Sequence, residues 1–142
     1  MGNNNPPDMQ VMPYRASVKY DTHTEIHEND PNGLDPKAGG AKLDAGKAPV
    51  VRGALHYFPR AITAVAQLSL IGANKYSWKG WESVADGINR YGDAMGRHEL
   101  RIEGDYTKRD DDTGVLEAVA VCWNSLARLE LILRELEKNE GK

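Results

Sequence analysis

Seven apolar residues, Val115, Val119, Cys122, Leu126, Leu129, Leu133 and Leu136, recur at alternating intervals of four and three in this 142-residue chain. That period suits an α-helix packed along one seam and is incompatible with a strand, whose side chains repeat every two residues. It predicts a long helix that starts near Asp112 or Thr113, where acidic and hydroxyl residues can cap it, and runs to about Glu137. Two further stretches carry the same signal. Ile62, Val65, Ala66, Leu70 and Ala73 predict a helix over Pro59–Ala73, widened by Leu68 and Ile71, with Gly72 expected as its C-cap. Val84, Ile88, Tyr91, Met95 and Ile102 predict another from about Glu82 to about Ile102. No alternating apolar–polar run of useful length occurs, so the fold class is all-α. Only residues 103–112 join the last two helices, which makes them antiparallel neighbours in a helical bundle. Three helical strips make a thin core for this length, and dimerisation through the long third helix is expected.

The remaining sequence is organised by its turn residues. Residues 1–35 are rich in Asn, Pro, Asp and Thr without periodicity and read as an irregular tail, leaving 36–142 as the helical domain. Residues 38–47 form a glycine-punctuated loop whose Lys42 and Lys47 can reach phosphates. The loop lacks P-loop spacing. Five basic side chains in residues 36–60 face Asp44 alone, while residues 93–117 carry eight acids against four bases. A basic and an acidic segment on one small fold suit a ligand that is anionic and metal-bound, such as a nucleoside triphosphate with magnesium; ordinary solvated faces would look the same. The net charge of −3 predicts no affinity for nucleic acid polymers or membranes. A single cysteine, Cys122, excludes an internal disulfide and a cysteine zinc cluster. With no signal-like or membrane-spanning run, the expected location is the cytoplasm, that of the host if the chain is phage-encoded.

The clue to function is a conflict. After Met95 the core-facing place on the second helix falls to His98 and Glu99. A charged pair there costs several kcal/mol unless something neutralises it, and a cation held by inward carboxylates would do so. Glu99 and Glu103 stand four apart on one helix, and Glu117 and Asn124 stand seven apart on the next. Across the connecting loop His98, Glu99 and Glu103 approach Asp111, Asp112 and Glu117. Magnesium needs only a few such oxygens beside substrate phosphates, and one carboxylate can act as general base for the attacking water. Each residue also has a structural reading. Glu99 and Glu103 can form a salt-bridge ladder with Arg97 and Arg101; His98 can be a hydrogen-bonded core residue; Asp112 can be a helix cap. Tyr76, Trp78 and Trp81 can stack on a base or anchor their loop in the core.

Gly40-Ala-Lys-Leu-Asp-Ala-Gly-Lys47, Gly72-Ala-Asn-Lys-Tyr76 with Trp81, Arg97-His98 and Asp112-Thr-Gly114, in that order, resemble the phage-associated dATP/dGTP diphosphohydrolases, which are similar to the MazG-like all-α nucleoside triphosphate pyrophosphohydrolases. The similarity spans about residues 38–134. It implies a bundle that forms homodimers or homotetramers, Mg2+ or Mn2+ at clustered carboxylates, and cleavage of a purine deoxynucleoside triphosphate, dGTP or dATP, into the monophosphate and pyrophosphate. By this resemblance Lys42, Asp44, Lys47 and Lys75 sit near the nucleotide, and His98 with Glu117 near the metal. Together with the spacing argument, the expected metal set is His98, Glu99, Glu103, Asp112, Glu117 and Asn124, with Glu99 and Glu117 catalytic. Tyr76, Trp81 and Arg97 complete the expected substrate contacts. The superfamily's ExxE…ExxD pattern is absent as written: Glu99 and Glu103 are four apart, and Ala120 stands three after Glu117. The competing class is a non-catalytic phage accessory module that binds nucleotide or protein through the Lys-rich loop. Metal dependence separates the two.

Overall fold

A computed structural model describes residues 29–141, so the tail expected over residues 1–35 lies outside the described residues up to residue 28. The chain divides into two compact units, between Lys47 and Ala48.

The described part of the first unit is a series of turns organised by one carboxylate. Asp30 is buried, and accepts hydrogen bonds from the backbone N–H of Asn32 at 2.7 Å and of Lys42 at 2.8 Å. The Lys42 and Asn32 amides lower its pKa, against the upward pull of burial and with help from Leu34. A depressed carboxylate stabilises this turn fully above the ordinary value of about 3.9, and the contribution is lost as pH falls through the lower folded value. The Lys42 amide resonance should therefore hold its position from neutral pH to about pH 4 and move only below it. Asp30→Ala should abolish that transition and collapse the shift at all pH.

The second unit is helical. A π-helical turn over Val51–Leu55 leads to α1 (Pro59–Lys75), whose first position is the proline that favours helix starts. Gly72 is not a C-cap: α1 runs on to Lys75 and closes with the Tyr76 N–H on the Gly72 carbonyl at 2.9 Å. The second predicted helix starts later than expected. Gly80–Ser83 form a 3-10 turn, Val84 is extended, and Lys79 and Asp86 adopt positive φ of 60° and 54°. α2 (Gly87–Ile102) begins only after that break. Gly87 is buried there, and a Cβ on it would lie 2.6 Å from Leu131 Cδ1, so glycine sets how closely α2 meets the last helix.

α3 (Glu117–Glu140) also starts later than Asp112. Residues 108–117 instead form a small hairpin: an antiparallel bridge joins Arg109 to Leu116, and the Glu117 N–H bonds the Lys108 carbonyl at 2.9 Å. Among the described residues this bridge is the only β-type pairing, and α2 and α3 pack as antiparallel neighbours, as the short connection requires. No helix of these residues is long and apolar enough to cross a membrane.

The apolar stripe of α3 is not its packing face. Its buried positions are Glu117, Ala120, Asn124 and Ala127, a second run at intervals of three and four. α2 meets the adjoining strip, with His98 on Glu117, Met95 on Ser125, Gly92 beside Arg128 and Gly87 beside Leu131, while Leu126, Leu129 and Leu136 remain 40–49% exposed. Trp81, Tyr91 and Trp123 pack edge to face with centroids 5.8–6.3 Å apart. Tyr91 donates to the Trp81 carbonyl at 2.9 Å and Trp123 Nε1 donates to Ser69 Oγ at 2.9 Å. These contacts fasten the 3-10 turn, α1, α2 and α3 together.

Candidate functional site

Three side chains converge where the C-terminal half of α2 meets the start of α3. His98 Nδ1 lies 2.5 Å from Glu117 Oε2, and Asp110 completes a trio whose potential ligand atoms all fall within 4.8 Å of one another. Each is delivered by a different device. His98 points inward because it occupies the helical stripe of Tyr91 and Met95. Glu117 is brought in as the first residue of α3 by the hairpin, and its side chain is only 4% exposed. Asp110 is held by the turn it heads: its Oδ2 accepts from the Thr113 N–H at 2.9 Å and from the Thr113 hydroxyl at 2.7 Å. Burial pushes the Asp110 pKa up, but the Thr113 bonds, with His98 and Arg101 nearby, more than offset it and leave it lowered. An ionised carboxylate is what a cation site needs. The trio does have a built-in counter-ion. Arg101 Nη1 lies 3.5 Å from Asp110 and 3.9 Å from Glu117, on a half-exposed side chain able to swing into solvent.

His98 and Asp110 line one end of a cavity of about 1030 Å3, large enough for a nucleotide. Near that end Lys75 pairs with Asp112 at 2.7 Å, which raises the lysine's pKa through that hydrogen bond. Arg97 also lines the cavity and makes no ion pair among the described residues. Tyr76 and Trp78, 78% and 68% exposed, offer ring faces along the wall. The arrangement provides cationic groups for phosphates, carboxylates for a metal and aromatic surface for a base.

The expected site residues divide accordingly. His98 and Glu117 come together, Asn124 is buried one face along α3 with its amide donating to the Ala120 carbonyl at 2.8 Å, and Lys75, Tyr76 and Arg97 line the cavity. Trp81 lines it too, but its ring is part of the aromatic cluster and lies under Arg134 at 5.6 Å, an anchor's surroundings. Glu99 and Glu103 are not brought to the trio. Glu99 is exposed because its neighbour His98 takes the inward place on α2. Glu103 has left the helix, with φ of 45°, and pairs with Lys108 at 3.0 Å. Asp112 is neither cap nor member of the trio; it is the partner of Lys75. Lys42, Asp44 and Lys47 belong to the first unit, where Lys42 lies 3.7 Å from Asp44. Asp110, the third member of the trio, was not among the expected site residues. Its signal was the Asp-x-x-Thr-Gly spacing of residues 110–114, which marks the first aspartate as the one a turn holds rigid.

An acid–histidine trio beside a nucleotide-sized cavity in an all-helical unit is chemically suited to phosphorylated small molecules. Comparison with protein families makes the assignment specific: the family described as dATP/dGTP diphosphohydrolase, N-terminal, matches residues 37–140. The chain belongs to that family. No curated protein and no solved structure matches it.

Proposed function

We propose that this protein is a divalent-metal-dependent hydrolase that converts a purine deoxynucleoside triphosphate, dGTP or dATP, to the monophosphate and pyrophosphate. The family name supplies the substrate class and the diphosphohydrolase activity. The observation that carries the reading is the convergence of His98, Asp110 and Glu117 into one trio, of which His98 and Asp110 also line the cavity. The donor set fits a divalent ion, Mg2+ or Mn2+: two carboxylates, one of them held ready by Thr113, and an imidazole, all within reach of one centre. An ion bound there would withdraw charge from phosphate oxygens and make a nearby water a better nucleophile.

The chain's own groups do the rest. Lys75 and Arg97 neutralise phosphate charge, and Asp112 yields Lys75 to the substrate. Trp78 or Tyr76 stacks on the base. Glu117, whose side chain is 4% exposed, holds His98 in place, and Asp110 is the carboxylate of the trio that reaches the cavity. The reaction belongs to nucleotide-pool control, in a phage-infected cytoplasm if the gene is viral. A screen of the common (d)NTPs should give pyrophosphate from a purine deoxynucleotide, with EDTA abolishing turnover. Free orthophosphate as first product, or turnover indifferent to EDTA, would refute the reading.

The proposal includes a homodimer or homotetramer. Its support is the outward stripe of α3, together with a core in which no large side chain of the described residues is fully buried. Leu129→Glu should shift light-scattering mass toward the monomer, and an unchanged mass would count against this face.

A further inference from the structure

We propose that the trio is built for a first-row transition-metal ion of the Mn2+ or Co2+ kind in preference to Mg2+, and that His98 sets this preference. The inference rests on the functional reading above, since it concerns the ion of the same site.

Mg2+ takes oxygen ligands, demands near-ideal octahedral geometry and gives up its waters reluctantly, so its sites are usually one or two carboxylates open to solvent. The trio shares the two carboxylates but differs in its third donor and in its exposure. One of its three donors is an imidazole nitrogen, which suits Mn2+, Fe2+, Co2+ and Zn2+ better than Mg2+. Glu117 is nearly sealed from water, and His98 is 19% exposed, so an ion entering between them must shed part of its hydration shell. The donors are also held in place. Asp110 is fixed by two bonds from Thr113, Glu117 by the backbone bond to Lys108, and His98 by the packing of α2 on α3. A preorganised, mixed nitrogen–oxygen set favours the ion that forms the stronger bond to nitrogen.

The 2.5 Å hydrogen bond between His98 and Glu117 would be exchanged for bonds from both residues to the ion. Arg101, which now faces both carboxylates, would leave for solvent, and its exposed side chain has room to do so. The opposing possibility is equally definite: Arg101 is the permanent cation and the trio holds no ion.

Calorimetric titration of EDTA-treated, desalted protein with Mn2+, Co2+ and Mg2+ decides between these. Wild-type protein should bind Mn2+ and Co2+ at least about tenfold tighter than Mg2+. His98→Asp, which makes the set all-oxygen, should shrink that ratio toward one, mainly by strengthening Mg2+. Independently of any variant, spin-echo modulation of bound Mn2+ in the wild-type protein should show coupling to a directly bound 14N. Binding of no ion, Mg2+ binding as tight as Mn2+, a ratio unchanged by His98→Asp in a folded variant, or the absence of 14N coupling would each overturn the inference. The two readings fail separately. Nitrogen-coupled Mn2+ in a protein that hydrolyses no nucleotide would leave this inference standing and remove the proposed function. Metal-dependent hydrolysis without nitrogen coupling would do the reverse.

Discussion

Glu117→Gln should lower kcat/KM for the purine deoxynucleotide by about a thousandfold, equivalent to about 4 kcal/mol of transition-state stabilisation. The substitution keeps the shape of the side chain and removes its charge, so the loss is not one of packing. Glu117 opens α3, its carboxylate is buried, and its only close partner among the described residues is His98, with Arg101 at 3.9 Å. In the metal-free protein His98 and Arg101 compensate this carboxylate only partly. Replacing a buried ion pair by a neutral hydrogen-bonded one is often neutral, so the same change should leave the metal-free protein within about 1 kcal/mol of wild-type stability. Steady-state kinetics and thermal melts with and without metal check both halves. A Glu117→Gln protein retaining more than a tenth of wild-type kcat/KM would remove this residue from the chemistry.

The second large effect concerns the wall of the cavity. Trp123 makes edge-to-face contacts with Trp81 and Tyr91 and donates from Nε1 to Ser69, so it links α3 to α1, α2 and the 3-10 turn at once. Trp123→Ala should cost about 3 kcal/mol, the low end for tryptophan truncation because the side chain is only half-buried, and lower Tm by roughly 10–20 °C. Trp123→Phe keeps the ring contacts and loses one hydrogen bond, for about 1 kcal/mol. Denaturant melts of the two variants separate ring packing from the bond. A Trp123→Ala protein within 1 kcal/mol of wild type would mean the aromatic cluster does not hold the cavity wall.

How much of this was legible in the sequence depends on the kind of signal. Helical periodicity is a local property, and it placed α1, α2 and α3; the short connection made the last two antiparallel. It misled about the face of α3. The stripe from Val115 to Leu136 is the more hydrophobic, yet α2 touches Glu117, Ser125, Arg128 and Leu131, and the buried positions of α3 are Glu117, Ala120, Asn124 and Ala127. Close approach of two helices favours small side chains, and two of these four are polar, so a search for apolar residues passes over them. Helix starts were read too early for a related reason. The positive φ of Asp86 and the hairpin of residues 108–117 are set by backbone bonding that residue type alone does not announce.

At the site, the misplaced charge at His98–Glu99 pointed to the turn of α2 that carries the trio, and the inward position belongs to His98. Glu99 and Glu103 satisfy the four-residue rule, but that rule holds only while the helix lasts, and it ends between them and the loop at Ile102. Asp110 stood within a run of three aspartates that composition cannot tell apart; its spacing to Thr113 and Gly114 was the one signal, and its hydrogen bonds to Thr113 make it visible in the structure.

The most direct test is crystallographic: crystals of the protein grown with Mn2+, with anomalous diffraction collected near the manganese edge. A single strong peak bounded by His98, Asp110 and Glu117 is expected, with the Arg101 side chain turned outward. A peak at Glu99 and Glu103 instead, or Arg101 still facing both carboxylates with no manganese between them, would contradict it.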